Sequence, residues 1–275
     1  MHVVYQLKTS NDLEIFELDF PNKSKLEDVC DLRQPLLFNY DEENIRHFSL
    51  TSLAEYNAFD VTVYDASYVS IPKRFDTAIK LFETTGFSAN NSDFLHETMA
   101  KRYYLNTDSY LRPPMVSSIY YDLLFGSVGA TTRLEYSTHY RNYLYVSNGS
   151  VTIKLTPPRN TKYLNMVKDY GSQENYSLLN PWQSQIDKVK FLEITIPKGK
   201  MIFIPSYWWY SLKFEKDACV CVFKYKTIMN IIATMPDIFI GILQRQNTKV
   251  KITSAPALLS PSISSHTSTV LDEPL

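Results

Sequence analysis

A run of strand-like segments between Phe125 and Tyr225 constrains the fold of this chain more than any other feature. Its first part, Phe125–Ser137, carries two glycines. Its second part, Asn142–Pro158, has the pattern of a strand, a glycine turn, another strand and a Pro-Pro stop. Short apolar segments separated by turn residues are typical of β-sheet domains. A chain of 275 residues is long enough for one large β-rich domain with a small extension.

Two of these segments carry specific motifs. The first contains the spacing Gly-x-x-Gly-x-x-Thr-x-Leu, and Ile204–Trp209 is the rare hexapeptide Ile-Pro-Ser-Tyr-Trp-Trp. Together they resemble the JmjC/cupin-like 2-oxoglutarate oxygenases, and the resemblance covers residues 26–245. It implies a mainly β fold with flanking helices, built around a double-stranded β-helix barrel of the cupin or jelly-roll type.

The resemblance also implies that the metal ligands of the family are missing. In the family, two histidines and one carboxylate hold Fe(II) and leave positions open for the co-substrate and oxygen. Here those three positions hold Glu135, Ser137 and Tyr210. A register shifted by one residue would place Tyr136 and Thr138 at the first two positions. Either register removes both ligands of the first strand, so we expect neither a bound metal nor catalytic residues.

The positions that contact the co-substrate are also altered. By resemblance they correspond to Thr132, Asn142, Val151 and Val222. Val151 stands where the family has a basic residue for the distal carboxylate of 2-oxoglutarate. A buried carboxylate without a cationic partner is unfavourable. Thr132 matches a co-substrate contact, but threonine is also an ordinary strand residue. We therefore expect no cofactor.

A replacement metal site is an alternative. Of the five histidines, only His139 lies near the expected pocket. Because side chains alternate along a strand, Glu135, Ser137 and His139 would share one face. A repurposed oxygenase would use Glu135, His139 and a tyrosine as ligands; otherwise His139 is a rim or loop residue. In the inactive case, we expect the Tyr210 phenol to fill the pocket and hydrogen-bond Glu135 or Ser137.

The charge and the cysteine content of the chain argue against nucleic-acid binding and against a disulfide-linked fold. The chain has 28 basic and 29 acidic residues, a formal charge of −1, and no basic block, so we expect no nucleic-acid partner. Three cysteines do not make a disulfide framework, and Cys219 and Cys221 are predicted to pack in the core. The N-terminal segment has a strand pattern and no signal-peptide pattern, which favours an intracellular location.

Hydrophobic patterns outside the barrel strands predict further elements. They indicate a hairpin over residues 2–8 and 12–20, a helix over Lys25–Asp31, a strand over Gln34–Asn39, a helix starting at a Ser52–Glu55 capping box, a strand over Asp60–Tyr64, and helices over Pro72–Glu83 and Asp93–Arg102. Residues 162–185 correspond to a variable insertion at the barrel mouth of the resembled family. Within it, Trp182 is a candidate partner contact.

The C-terminal region divides into two parts after a cupin-like domain of residues 1–227. Residues 228–247 are apolar but too short and too interrupted for a membrane span. Pro236 at a first helical position predicts a helix over Asp237–Gln246, which would pair with another subunit or dock on the core. Residues 248–275 form a Ser/Pro-rich tail that should not fold alone.

Three functional hypotheses follow. The favoured one is a catalytically inactive protein with a structural or protein-interaction role. Resemblance to proteins of large eukaryotic DNA viruses suggests a minor virion component, located in the virion or the host cytoplasm. Its partners would be other protein subunits, such as capsid proteins, or a second copy bound through the C-terminal segment. The others are a residual or repurposed oxygenase acting on protein, and a small-molecule or peptide binder that uses the old groove.

Overall fold

The computed structural model describes residues 9–82, 86–170, 174–183 and 185–246, together with the backbone of residues 253–254. In this part of the chain, strands form two sheets and α-helices flank the larger one. The strands are β1 (Phe16–Leu18), β2 (Leu36–Asn39), β3 (Asp60–Tyr64), β4 (Ser70–Arg74), β5 (Phe87–Ser88), β6 (Val116–Gly126), β7 (Glu135–Tyr136), β8 (Arg141–Asn148), β9 (Ser150–Thr156), β10 (Met166–Asp169), β11 (Glu174–Ser177), β12 (Leu192–Pro197), β13 (Lys200–Phe203), β14 (Trp209–Phe214), β15 (Cys219–Thr227) and β16 (Thr253–Ser254). The α-helices are α1 (Lys23–Cys30), α2 (Glu43–Arg46), α3 (Leu50–Leu53), α4 (Phe75–Leu81), α5 (Ser92–Glu97), α6 (Lys101–Leu111) and α7 (Ile228–Gln246).

The larger sheet has the strand order β1-β2-β13-β8-β15-β6-β5-β3-β4, and the smaller has the order β12-β9-β14-β7-β11-β10-β16. Pairing is antiparallel except between β1 and β2. Between β6 and β15 the chain crosses from one sheet to the other at β6–β7, β7–β8, β8–β9, β12–β13, β13–β14 and β14–β15. This crossing is consistent with a double-stranded β-helix of the jelly-roll type. The predicted mainly β fold with flanking helices is confirmed.

Strand β15 shows why the larger sheet is buried on both faces. Its odd-numbered side chains, including Cys221 and Phe223, pack in one core with the helices. Val220 and Val222 face the other way and join side chains of the smaller sheet in a second core. A strand covered on both faces has a nearly continuous apolar sequence. The predicted core location of Cys219 and Cys221 is confirmed, because both are fully buried free thiols.

Several predicted boundaries are confirmed and others are wrong. The strand over Asp60–Tyr64 has the predicted bounds. The first helix begins two residues early, since Asn22 caps it by accepting a hydrogen bond from the Lys25 amide at 2.8 Å. The helix predicted over Pro72–Glu83 is present as α4, Phe75–Leu81, but its predicted start is wrong. Residues Ser70–Arg74 form β4, an edge strand that pairs with β3 alone, where a proline is tolerated.

Two more helix predictions need correction. The helix over Asp93–Arg102 is broken into α5 and α6, and Met99 between them has a left-handed φ of 59° that redirects the chain. The capping box is formed by Ser49 and Ser52, so Ser52 lies inside α3 and does not cap it. Within the predicted hairpin, residues 2–8 lie outside the described part of the chain. Residues 12–20 contribute only β1, which pairs in parallel with β2.

The region predicted as a weakly patterned insertion contains two strands. β10 and β11 pair with each other, and β11 also pairs with β7 through Tyr176 and Glu135. The insertion therefore extends the smaller sheet beside the expected site. Of the predicted tail, only the backbone of β16 lies in the described residues, where it pairs with β10.

The C-terminal helix is longer than predicted. α7 begins immediately after β15 and contains Pro236 in its interior, so the prediction of a first-turn proline is wrong. Its attachment to the domain includes a hydrogen bond from Asn230 Nδ2 to the Thr138 carbonyl at 3.0 Å and an ion pair of Lys168 with Asp237 at 2.6 Å. Within the described residues, no helix is both long enough and apolar enough to span a membrane.

Candidate functional site

A cavity of about 440 Å³ lies at the expected site, and we call it the inter-sheet cavity. Side chains of both sheets line it. The larger sheet contributes residues of β3, β5, β6 and β15, and the smaller sheet contributes residues of β7 and β11. A concave site of this size is within the range that proteins use for small ligands. The residues singled out from the sequence can therefore be located relative to this cavity.

Two of the three metal-ligand positions are joined by a hydrogen bond. Antiparallel pairing of β14 with β7 places Tyr210 directly opposite Glu135. The Tyr210 hydroxyl donates to Glu135 Oε1 at 2.7 Å, which confirms the expected contact. Burial, together with the Glu135 carboxylate, raises the pKa of Tyr210 well above its usual value. The phenol is therefore neutral, and its proton is committed to the carboxylate.

The third position, Ser137, is paired with His139. Ser137 Oγ lies 2.8 Å from His139 Nδ1, and the His139 amide donates to the same oxygen at 3.2 Å. β7 ends at Tyr136, so a local turn brings the two side chains together where strand alternation was expected. Glu135, Ser137 and His139 all line the cavity. Burial, with the nearby charges of Lys224 and Lys226, holds the pKa of His139 well below its usual value.

The alternative register places Tyr136 and Thr138 at the ligand positions. Tyr136 packs edge-to-face on Trp209 with ring centroids 4.8 Å apart, and its hydroxyl lies 3.7 Å from the Met166 sulfur. Both Tyr136 and Thr138 touch the cavity wall. The cross-strand partner of Tyr210, however, is Glu135. The geometry therefore favours the register in which Glu135 and Ser137 occupy the ligand positions.

These residues do not fit an Fe(II) site of the family type. Two imidazoles and a carboxylate are needed, whereas the three positions offer a hydrogen-bonded carboxylate, an alcohol and a neutral phenol. Across the described ranges, no group of three or more His, Cys, Asp or Glu side chains is arranged to hold a metal ion. No chemical step through iron is derived for this arrangement.

The co-substrate positions are apolar or structural. Thr132 Oγ1 accepts the Leu212 amide at 2.9 Å and so ties the chain before β7 to β14. Val151 is buried in the core between the sheets, opposite Phe214, with no cationic group at that position. Val222 is part of the cavity wall. This arrangement does not fit a bound 2-oxoglutarate of the family type.

Asn142 differs from the other co-substrate positions because it is polar and fully buried. Its amide lies near the Tyr210 hydroxyl. Neither of its polar side-chain atoms makes a hydrogen bond of normal geometry within the described residues. A buried amide without partners is unfavourable by about 1–3 kcal/mol. The site therefore retains unmet hydrogen-bonding capacity.

Trp182 lies away from the inter-sheet cavity. Its Nε1 donates to Ser211 Oγ at 2.8 Å, and the Lys154 ammonium lies 4.5 Å from the centre of its ring. The half-buried indole therefore covers residues of β9 and β14 on the smaller sheet. Its predicted role as a partner contact stays a prediction.

Sequence reasoning missed five charged side chains of the cavity wall, namely Asp122, Arg133, Glu174, Lys224 and Lys226. Asp122 is buried, and its carboxylate accepts the amides of Asn90, Asn91 and Leu123 at 2.6–2.9 Å. The two lysines had a detectable signal. They alternate with Phe223 and Tyr225 at the end of an otherwise apolar strand, so they must face the same side as Val222.

Comparison with known proteins supports the fold assignment. A family model described as a Cupin-like domain matches residues 34–225. A search of curated proteins returned no match. The matched segment runs from Gln34, two residues before β2, to Tyr225 in β15, and it includes Glu135, Ser137 and Tyr210. This chain therefore belongs to the family of JmjC-type proteins with a Cupin-like domain.

Proposed function

We propose that this protein is a catalytically inactive member of its family that works through contacts with other proteins. The observation that carries the proposal is the hydrogen bond between Tyr210 and Glu135 at 2.7 Å. It occupies two of the three ligand positions at once. Because the phenol is neutral and Glu135 is the only carboxylate of the set, the three positions supply too few ligands to hold iron in the family's manner.

A second line of support is the exposed surface of α7. Five apolar side chains follow one side of this helix and are each more than 40% exposed. They are Ile228, Ile232, Met235, Phe239 and Ile242. Apolar residues at alternating spacings of four and three match the seam by which helices pair. We therefore infer that α7 contacts another subunit, either a second copy or a different protein.

The finer assignment to a minor virion component remains part of the proposal. It rests on the resemblance to proteins of large eukaryotic DNA viruses. Under that assignment the partners of α7 are capsid proteins or another copy of this chain, and the location is the virion or the host cytoplasm.

A calorimetric titration tests the inactive site. Metal-stripped protein is titrated with Mn(II), a redox-stable substitute for Fe(II), with and without 2-oxoglutarate. We expect no binding at micromolar concentration under either condition, because the three positions lack two imidazole ligands. The Glu135→Ala variant is the control and should behave like the native protein.

The opposite result would favour a repurposed oxygenase. Tight Mn(II) binding that 2-oxoglutarate strengthens, and that Glu135→Ala abolishes, would contradict the proposal. In that case Glu135 and His139, which line the same cavity, would be the first candidate ligands. Hydroxylation of any peptide by the purified protein would contradict it equally.

A further inference from the structure

Lys224 and Lys226 lie side by side in the wall of the inter-sheet cavity. They are two residues apart on β15, so their side chains leave the same face of the strand, roughly 7 Å apart at the backbone. Both are partly buried. Burial and the neighbouring charge of Lys224 lower the pKa of Lys226. Two ammonium groups in one recess repel each other unless an anion lies between them.

Three carboxylates line the same wall, those of Asp122, Glu135 and Glu174. Asp122 and Glu135 form no ion pair with either lysine within the described residues. The charge of Lys224 acts on the Asp122 carboxylate, whose oxygens also accept three backbone amides. Glu135 accepts the Tyr210 hydroxyl.

Unpaired amides lie beside the lysines. Asn142 is directly opposite Lys224 in the pairing of β8 with β15, so both side chains lie on the inner face of the larger sheet. Neither polar atom of the Asn142 side chain has a hydrogen-bond partner in the described part of the protein. Asn175 lines the cavity, is only 7% exposed, and its Oδ1 also has no donor there. The cavity wall therefore combines two lysines that form no ion pair within the described residues with one amide oxygen, Asn175 Oδ1, that has no donor there, and Asn142 lies behind the wall.

Aromatic side chains form another part of the wall. The ring of Tyr120 lies 5.6 Å from the Lys224 ammonium. Farther along the wall, the Arg133 guanidinium lies over the rings of Tyr68 and Tyr176, at 5.1 and 4.6 Å from their centres. Aromatic faces favour contact with carbon skeletons. The lining is consequently suited to an organic molecule with a charged end.

We propose that the inter-sheet cavity binds a small organic anion whose carboxylate or phosphate group lies between Lys224 and Lys226. Charge-assisted hydrogen bonds from two ammonium groups would hold that group. A hydroxyl or amine on the body of the molecule would donate to Asn175. The cationic contact comes from β15, whereas the family places its basic residue at the position of Val151 on β9. This binding goes beyond the proposed function and requires no metal.

The test is a calorimetric titration in metal-free buffer containing a chelator, so that its result is independent of the Mn(II) experiment. The probes are malate, a hydroxy-carboxylate, and glycerol phosphate, a hydroxylated phosphate ester. We expect the native protein to bind at least one of them, and the preferred probe distinguishes a carboxylate ligand from a phosphate ligand. Binding of neither probe at millimolar concentration would overturn the proposal.

Lysine-to-glutamine substitutions test whether the probe binds at the proposed site. Lys224→Gln and Lys226→Gln should each weaken the preferred probe by about tenfold or more, because each removes one of two charge-assisted contacts. Lys198→Gln removes an exposed lysine between β12 and β13 and should leave affinity unchanged. Equal weakening in all three variants would show general surface attraction and overturn the assigned site.

Thermal unfolding distinguishes a folded variant that no longer binds the probe from a variant that is destabilised. Without an added anion, Lys226→Gln should match or exceed the native melting temperature, because it removes a partly buried charge beside another cation. The preferred probe should raise the melting temperature of the native protein but not that of the variant. A lower melting temperature for Lys226→Gln in anion-free buffer would show that Lys226 is already paired within the protein, which contradicts the premise.

Discussion

Tyr210 combines apolar packing with a hydrogen bond beside the inter-sheet cavity. Its ring packs in the apolar core between the sheets, and its hydroxyl donates to the partly buried carboxylate of Glu135. A buried hydroxyl without an acceptor is unfavourable, so this hydrogen bond should stabilise the fold. The effect can be measured because the hydroxyl can be removed without changing the ring.

Tyr210→Phe should therefore lower the free energy of unfolding by about 1 kcal/mol. The matched control is Tyr136→Phe on the neighbouring strand, whose hydroxyl meets only the weak acceptor Met166 Sδ at 3.7 Å. Urea denaturation monitored by circular dichroism gives both values. If the two variants lose the same stability, the Tyr210–Glu135 contact has no special role.

At the residue scale, one side-chain contact could be predicted from the sequence. The Tyr210–Glu135 hydrogen bond was one of two expected pairings and is present, whereas the assignment of Glu135, Ser137 and Tyr210 to lost metal-ligand positions stays a prediction. The pairing of Ser137 with His139 depends on a turn that two-residue alternation does not describe. Lys224 and Lys226 were missed because lysine usually faces solvent, and only the position of the neighbouring sheet turns that face into a cavity wall.

Among the elements, α7 is the most informative because its exposed side is more apolar than a solvated helix requires. A heptad-like stripe normally packs on another helix. The buried side of α7 is partly polar instead, with Asn230 and Thr234 turned towards the domain. A helix that packs only on its own domain has the opposite distribution, with its apolar side buried and its polar side exposed. The pattern of α7 therefore favours an intermolecular contact.

Self-association through this stripe gives a direct prediction. Met235→Glu and Phe239→Glu each place a charge in the seam and should shift a dimer towards monomer, because a buried unpaired carboxylate is unfavourable. Lys198→Glu changes the charge of an exposed residue outside α7 and should leave the dimer intact. Sedimentation velocity over a concentration series measures the change. A native protein that stays monomeric at its highest soluble concentration would rule out pairing with a second copy.

Proline caused the main errors in element prediction. Pro72 lies in an edge strand and Pro236 lies inside a helix, whereas both were predicted near helix starts. A proline lacks a backbone N–H donor. Whether a strand or helix can contain it depends on whether the neighbouring backbone needs a hydrogen bond at that position. Strand β3 was predicted correctly because its alternation is strong and both of its neighbours are in the same sheet.

On the scale of the whole molecule, one tightly packed turn connects the two sheets. Gly149 links β8 of the larger sheet to β9 of the smaller, with φ of +66°. A Cβ atom added there would lie 2.5 Å from the Lys216 carbonyl oxygen and 2.8 Å from the Ala218 amide nitrogen. Both contacts are backbone atoms of the β14–β15 connection, which also crosses between the sheets.

Gly149→Ala should therefore lower the free energy of unfolding by about 3 kcal/mol or more, which exceeds the cost of backbone strain at a single residue. Gly129→Ala is the matched control, because Gly129 also has a positive φ of +80° but no atom within 4 Å of an added Cβ. It should cost about 1 kcal/mol. Guanidinium denaturation gives the free energy of unfolding of both variants. The difference between them measures the steric clash at Gly149, because backbone strain is common to both. Equal losses would mean that the inter-sheet turn has room to move.

The sheet architecture could be predicted from the sequence because the motifs that carry it are local and specific. The extent of the smaller sheet could not, since β10 and β11 come from a polar segment whose strand character depends on pairing with β7. Pairing partners distant in the chain are not visible in local pattern.

The hydrogen bond between Tyr210 and Glu135 also makes substitutions at the two positions interdependent. Removing the phenol hydroxyl takes away the donor to Glu135, and removing the carboxylate takes away the acceptor of the buried phenol. A double-mutant cycle at the two positions should therefore give a coupling free energy of about 1 kcal/mol. The contribution of each side chain to stability consequently depends on which residue occupies the other position.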